Sequence, residues 1–302
     1  MAELRSARVE FPFAASDSRF GSAALAADSA AWIRSYGITD PLHDYAGLAF
    51  VAFPLTVSRS RMRWLCDYFN WLFPIDDLLD RPALLGADPA AVQRITDGLN
   101  GVLDGGSGPW RSPFVAAFAD LWRRIVPELS GTQVTRLAGF CRDYGEGLVF
   151  MADQRHRGLV PPLADFLRMR RKESVADVCL MLVEYCLGID VTAQLQELAQ
   201  IHTAFAHYTI VTQDLLSYRK EQAEADLLNC IDSYRLEHGC SPTQARAAVA
   251  AMESRLRDEF TALAGRPVPQ AEHYPHACAL FIAGYLAWTF RSSRYQQRRR
   301  TA

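Results

Sequence analysis

The sequence predicts an all-α protein, a helical bundle built as a single domain. Three observations carry this expectation. Apolar residues recur at steps of three and four along most of the chain, no alternating run is long enough for a strand, and the breakers between periodic segments are short. The chain has 302 residues, 50% of them hydrophobic and 22% charged, which suffices for a sizeable core and argues against a disordered polymer. Its 32 Lys+Arg against 34 Asp+Glu give a net charge of -2, so the basic excess a nucleic-acid binder needs is missing. Seven cysteines, an odd count without a CxxC pair, read as reduced thiols of a cytoplasmic protein. The first ten residues contain no apolar leader core, and the uncharged run 277–290 is shorter than the roughly 18 residues a membrane span needs, so it reads as a buried helix.

The elements follow in order. Residues 1–23 read as an extended arm whose apolar part, Phe11-Pro12-Phe13, tucks against the body, and 24–302 form the domain. A helix is expected over 24–36, closed by a turn at Gly37. A long one covers 58–80, where Trp64, Leu65, Tyr68, Phe69, Leu72 and Phe73 keep the helical period. Pro74 predicts a bend rather than a stop, because acidic residues continue the spacing beyond it. Further helices are expected over 89–103, 113–125, 133–150, 163–187, 191–224, 242–263 and 273–297, separated by Gly- and Pro-rich breakers.

Two of these helices carry chemistry. On the first, Phe69, Leu72, Phe73, Asp76 and Asp80 fall in one stripe roughly 100° wide, apolar at one end and acidic at the other. Carboxylates that continue an apolar face are costly to bury unless a cation meets them, and hard oxygen ligands suit Mg²⁺. Alone, Asp76-Asp77-Leu78-Leu79-Asp80 fits a solvated helix end equally well. On the second, Gln213, Ser217 and Glu221 stand at i, i+4 and i+8, a fan of oxygen donors with Lys220 on the same side. Alone, that spacing fits an ordinary exposed face. Together, two oxygen-bearing faces about 135 residues apart suit the opposite lips of one bundle cavity. His202 and His207, at i and i+5, share no face and read as packing or surface residues. Arg298-Arg299-Arg300 reads as a solvated helix end.

With these residues in view, the chain resembles the class I terpene cyclases, and within them the single-domain microbial sesquiterpene synthases. Asp76 to Asp80 is similar to the family's aspartate-rich motif. Gln213 to Glu221 is similar to its second metal motif, usually Asn-Asp-x-x-Ser-x-x-Lys-Glu. Met169-Arg170-Arg171-Lys172, followed by Leu182-Val183-Glu184, resembles the stretch with the diphosphate-sensing arginine. Arg294-Tyr295, with Gly284 and Trp288 upstream, resembles the C-terminal Arg-Tyr pair.

The resemblance implies a helical bundle with a central active-site cavity and a lyase that ionises a prenyl diphosphate, with farnesyl diphosphate the first choice and geranyl or geranylgeranyl diphosphate the alternatives. It implies three Mg²⁺, or Mn²⁺ in their place. Asp76 would be the main ligand of two, with Asp77 and Asp80 assisting, and Gln213, Ser217 and Glu221 would hold the third. Arg170, Lys220, Arg294 and Tyr295 would bind the diphosphate, and the helix break near Ser174 would turn a carbonyl toward the cation. Phe69, Phe73, Phe205 and Trp288 are candidates for the aromatic wall, with plain core packing the competing reading of each. The protein would act as a monomer or homodimer, without nucleic acid or a membrane span. Two places depart from the family form. Gln213 carries its carbonyl one methylene further out than Asn. Arg170 precedes it by 43 residues, a few fewer than usual, which makes Arg171 a rival sensor and places a shortened loop near 192–200. Two further readings stay open: a chain-elongating prenyltransferase, whose family carries a second DDxxD, and a binding protein that has lost turnover through Gln213.

Overall fold

The computed structural model of the protein describes residues 11–39 and 44–295. Every regular element among them is helical. Helix α1, Ala23–Ser35, starts where the Ser22 side chain accepts from the Leu25 amide, and it lays Leu25 and Ile33 on the core. Helix α2, Tyr45–Ala52, was not expected from the sequence. Its eight residues are apolar on nearly every side, so no polar face reveals a period. Helix α3, Arg59–Asp80, runs 22 residues through Pro74 without a stop, as the spacing predicts. Proline removes a hydrogen bond one turn earlier, and packing against α1 and α2 on its flanks keeps the helix in place.

Helices α4, Pro89–Leu103, and α5, Pro113–Ile125, both begin on proline, where the missing N–H costs nothing. Helix α6, Gly131–Arg157, opens on a Ser130–Gln133 capping box and ends at Gly158 with φ 63°. It extends beyond the expected 133–150 at both ends, where polar residues blur the period. The expected helix 163–187 is two helices, α7, Leu163–Glu173, and α8, Ala176–Leu187. The chain breaks between them at Ser174 and Val175, the position the resemblance indicates. Val175 adopts φ 53°, a left-handed conformation that a β-branched residue strongly disfavours. Gly147 of α6 lies against this break: a Cβ there would stand 2.6 Å from the Glu173 amide nitrogen.

Helices α9, Leu195–Ala223, α10, Cys230–His238, α11, Pro242–Ala264, and α12, Tyr274–Arg291, complete the bundle. A 3₁₀ turn, Thr192–Gln194, precedes α9, so that helix starts later than the expected 191. Nine-residue α10 is too short for its period to stand out in the sequence. The helix expected over 273–297 ends at Arg291 and continues as a turn to Tyr295; positions 296 and 297, the Arg298-Arg299-Arg300 tail and the first ten residues of the arm lie outside the described residues. In α12, a Cβ on Gly284 would fall 2.0 Å from the Val51 carbonyl oxygen, so this glycine lets α2 and α12 touch. The arm does tuck in: the Phe11 ring stacks on Tyr208 at 5.7 Å, and Phe13 lies by His276 at 5.8 Å. All seven cysteines are free thiols, five of them buried. No helix among the described residues is long and apolar enough to cross a membrane.

Candidate active site

Helices α3, α8, α9 and α12 bury nearly whole faces, and between them lies a cavity open at one end. Phe69, Leu72, Phe73, Phe205, Phe281 and Tyr285 form most of its wall. Asp76, Arg170, Glu173 and Gln213 stand at its polar end, beside Ser174 and Val175 of the helix break. Of the aromatic candidates, Phe69, Phe73 and Phe205 line the cavity. Trp288 does not. Its indole packs behind Phe73 at 5.3 Å and donates to the Asp44 carbonyl, because the last turn of α12 leans on α2 and not on the cavity. Its expected place on the wall is corrected accordingly.

The aspartate-rich end of α3 divides its labour. Asp76, Asp80 and Glu173 each offer an oxygen within 4.8 Å of the others. Asp77 points away from that trio, toward Arg294 and toward Lys220 at 3.5 Å. Burial, and then the Asp80 charge, pushes the Asp76 carboxyl up to about 6. Burial pushes Glu173 up to about 8, against the pull of Arg170. Burial would raise Asp80 as well, but Arg155 and Arg170 outweigh it and hold that carboxyl below its ordinary value.

The second face rises from α9. Gln213 reaches the cavity, whereas the Ser217 hydroxyl donates back to the Gln213 carbonyl at 2.8 Å. Glu221 accepts from the Asn229 amide at 2.7 Å, and burial beside the Asp214 charge pushes its carboxyl up to about 8. The basic residues surround both faces. Arg170 is 7% exposed and lies between Glu173 and Asp214, its Nε 3.2 Å from the latter. Arg171 instead forks onto Asp177 at 2.8 and 2.9 Å, on the far side of α7, so Arg170 is the arginine at the cavity. Arg294 bridges Asp76 at 3.2 Å and Asp77, with its guanidinium 4.9 Å above the Phe73 ring. Tyr295 sits edge-on to Trp288 at 6.0 Å.

The donor set fits a hard divalent cation. All its groups are oxygens, three carboxylates converge, two of those are raised by burial, and Glu173 Oε1 is buried without any hydrogen-bond partner. A buried anion in that state is stabilised by a cation or a proton.

Sequence reasoning missed Glu173, Asp214, Asn229 and Arg155. The first sits in the run Arg170-Arg171-Lys172-Glu173, where an acid reads as a local partner for its basic neighbours. Asp214 stands beside Gln213 within the second motif, about 100° round the helix from it, and Asn229 and Arg155 reach the site only through the folded chain. For Glu173 the available signal was its place at i+3 from Arg170, on the same helix face.

Residues 67–259 match a family model described as terpene synthase family 2, C-terminal metal binding. Among curated proteins, 10-epi-cubebol synthase of Sorangium cellulosum is 27% identical over 289 residues, which cover 92% of this chain and 91% of that one. A Coprinopsis cinerea protein named linoleate 10R-lipoxygenase COP4 is 30% identical over 297 residues, covering 89% and 81%. Among solved structures, germacradien-4-ol synthase of Streptomyces citricolor superposes with a TM-score of 0.80 at 24% identity, over 94% of this chain and 98% of that one.

Proposed function

We infer the reaction of this chain from the premise that it belongs to the terpene synthase family, enzymes that act on prenyl diphosphates. The reading is a Mg²⁺-dependent ionisation and cyclisation of farnesyl diphosphate to a sesquiterpene, with release of diphosphate. The observation that carries it is the juxtaposition of an all-oxygen acid cluster with an aromatic cavity under one mouth. The Sorangium relative is named a 10-epi-cubebol synthase, which supports a synthase reading of the site. The Coprinopsis relative's name speaks of linoleate oxidation, but carboxylate and amide oxygens suit Mg²⁺ or Mn²⁺, whereas imidazole suits iron.

In this reading Asp76, with Asp80 and Glu173 beside it, would hold metal on one lip, and Gln213, Ser217 and Glu221 would hold it on the other. Bound divalent metal supplies Lewis-acid neutralisation of the diphosphate oxygens. Arg170, Lys220, Arg294 and Tyr295 donate charge-assisted or neutral hydrogen bonds to the same headgroup. Arg294 and Lys220 now rest on Asp76 and Asp77, so they exchange carboxylate partners for phosphate oxygens when substrate arrives. The allylic C–O bond breaks, its electron pair leaves with the diphosphate, and a carbocation remains in the cavity. Phe69, Phe73, Phe205 and Phe281 exclude water, and a ring face turned to a desolvated cation is worth about 2 kcal/mol or more; the Phe73 ring already carries the Arg294 guanidinium and stacks on Tyr45. The carboxyl end of α7 adds the negative end of a helix dipole at Ser174.

The test is diphosphate release from farnesyl, geranyl and geranylgeranyl diphosphate side by side, with products read by gas chromatography–mass spectrometry. Farnesyl diphosphate plus Mg²⁺ gives a cyclic C15 product, and EDTA abolishes it. Longer prenyl chains formed with added isopentenyl diphosphate would make the protein an elongating prenyltransferase. Binding without turnover, cured by Gln213→Asn, would make it a binding protein.

A further inference from the structure

Arg155 belongs to none of the motifs above, yet it is tied to both metal-binding faces. It stands at the end of α6 with a side chain only 7% exposed. Its Nη2 pairs with Asp80 of α3, and its Nε and Nη2 lie 3.1 and 3.0 Å from Asp226 Oδ2. Asp226 lies in the loop 224–229 between α9 and α10. That loop is closed by the Asp226 amide donating to the Glu221 carbonyl at 3.0 Å and by Asp226 Oδ1 accepting from Leu228 N at 3.1 Å. Three residues on, Asn229 caps α10 through Oδ1 and uses Nδ2 to hold both Glu221 Oε2, at 2.7 Å, and the Asp214 carbonyl, at 2.9 Å. One continuous path therefore runs from Asp80 through Arg155 and Asp226 to Asn229 and Glu221.

We propose that Arg155 is a positioning residue that fixes the two metal-binding faces relative to each other. It does so by holding Asp80 and the loop 224–229 on one buried guanidinium. The proposal rests on the terpene synthase reading of the site. Two features make the link rigid. A buried guanidinium with two carboxylates has little freedom to release either, since each departure leaves an unpaired charge. The planar fork also sets the angle between its partners, which a flexible ammonium does not. The link has a second effect on the acid cluster. With its charge spent on Arg155, Asp80 leaves Asp76 and the bare Glu173 oxygen as the freer donors in the trio.

The experiment measures Mg²⁺ binding in the presence of inorganic diphosphate by calorimetry, with no prenyl substrate. The same variants are assayed for turnover and melting temperature. Arg155→Met weakens Mg²⁺ binding about 10- to 100-fold, the usual effect of removing a group that orients metal ligands. It raises the Mg²⁺ needed for half-maximal diphosphate release by the same factor and lowers kcat at saturating Mg²⁺ by less. Arg155→Lys recovers part of the loss. Asp226→Asn gives an intermediate loss, and combining it with Arg155→Met adds nothing further, because both cut one link. Arg136→Met, at the other end of α6, is the control: it lowers the melting temperature and leaves the Mg²⁺ titration within about twofold. An Arg155→Met protein that melts lower but binds Mg²⁺ and diphosphate like the wild type overturns the proposal, as does an equal Mg²⁺ defect in Arg136→Met. Should Arg155→Met fail to fold, unchanged titrations in both Arg155→Lys and Asp226→Asn overturn it. A wild-type chain that neither binds Mg²⁺ with diphosphate nor acts on any prenyl diphosphate overturns the functional reading itself, whereas normal wild-type turnover with an indifferent Arg155 removes the positioning role alone.

Discussion

Arg136 and Arg155 stand near opposite ends of α6, about 28 Å apart by the rise of the helix, and each reaches into a nest of polar groups: Arg136 meets the buried Glu184, and Arg155 meets the buried Asp226 and the half-buried Asp80. At the Arg136 end the nest is complete. Glu184 is fully buried, and its two oxygens accept from Arg136 at 2.7 and 3.2 Å, from Gln133 at 3.1 Å and from the Val191 amide at 3.2 Å. At the Arg155 end it is incomplete: Glu173 keeps a bare oxygen, and Asp76, Glu173 and Glu221 are all raised toward their neutral forms. The difference separates two uses of buried charge. A nest satisfied by the chain itself locks one segment to another, here the α8–α9 connection to α6. A nest left short of positive charge has been folded against its own electrostatics and awaits a ligand.

The largest effect expected from this contrast is on activity. Asp76→Asn lowers kcat by at least about 10²- to 10³-fold, the scale of losing one preorganised electrostatic group. Asp80→Asn costs much less, because Asp80 already spends its charge on Arg155. Asp76→Asn does not lower the melting temperature, since it removes a carboxylate that burial and the Asp80 charge already push toward its neutral form, whereas Asp80→Asn does lower it, because the buried Arg155 loses one of its two partners. Steady-state assays beside thermal melts decide the matter; equal losses from the two variants would erase the division of labour within the motif.

At the other end the ledger reverses. Glu184→Ala leaves Arg136 and Gln133 without their acceptor and the Val191 amide without its partner, so the fold loses about 3–5 kcal/mol. Whatever fraction remains folded keeps its kcat. Urea midpoints and active-site-normalised rates check both halves of that statement.

The sequence exposed one of these ends far better than the other. Asp76, Asp80, Gln213, Ser217 and Glu221 could be grouped because helical spacing puts each set on one face, and that information is local. The helices α3, α4, α5 and α11 were legible for the same reason, each with a long, regular apolar stripe. Glu184 could be read only as part of a family-like stretch, and nothing local told that its partners would be Gln133 and Arg136, some fifty residues earlier. Glu173 was hidden differently. It enters the acid cluster because Val175 takes a left-handed turn and Gly147 lets α6 approach the break, and a β-branched residue gives no sequence signal for such a turn. Helix α2 was invisible because a short segment that is apolar all round has no period to detect.

The smallest effect tests the complete end by pH. His202 on α9 meets the Tyr274 hydroxyl at 3.0 Å, and burial, with the nearby Arg136 charge adding to it, lowers its pKa to about 4; Asp177 pulls weakly the other way. The folded state therefore keeps this imidazole neutral where the unfolded chain, with a value near 6.5, would protonate it. Above about pH 6.5 both states are neutral and the contribution to stability is complete. As pH falls from 6.5 toward 4 the unfolded chain takes up a proton that the folded one refuses, and stability declines by an amount on the order of 1–3 kcal/mol. Below about 4 the folded state is protonated too, and the loss levels off. Other groups titrate in the same range, so the relevant quantity is the difference between wild type and His202→Gln, which removes this one slope. If the two proteins lose stability in parallel from pH 6.5 to 4, His202 is already solvated in the folded state, and the Arg136 end is less tightly closed than its hydrogen bonds imply.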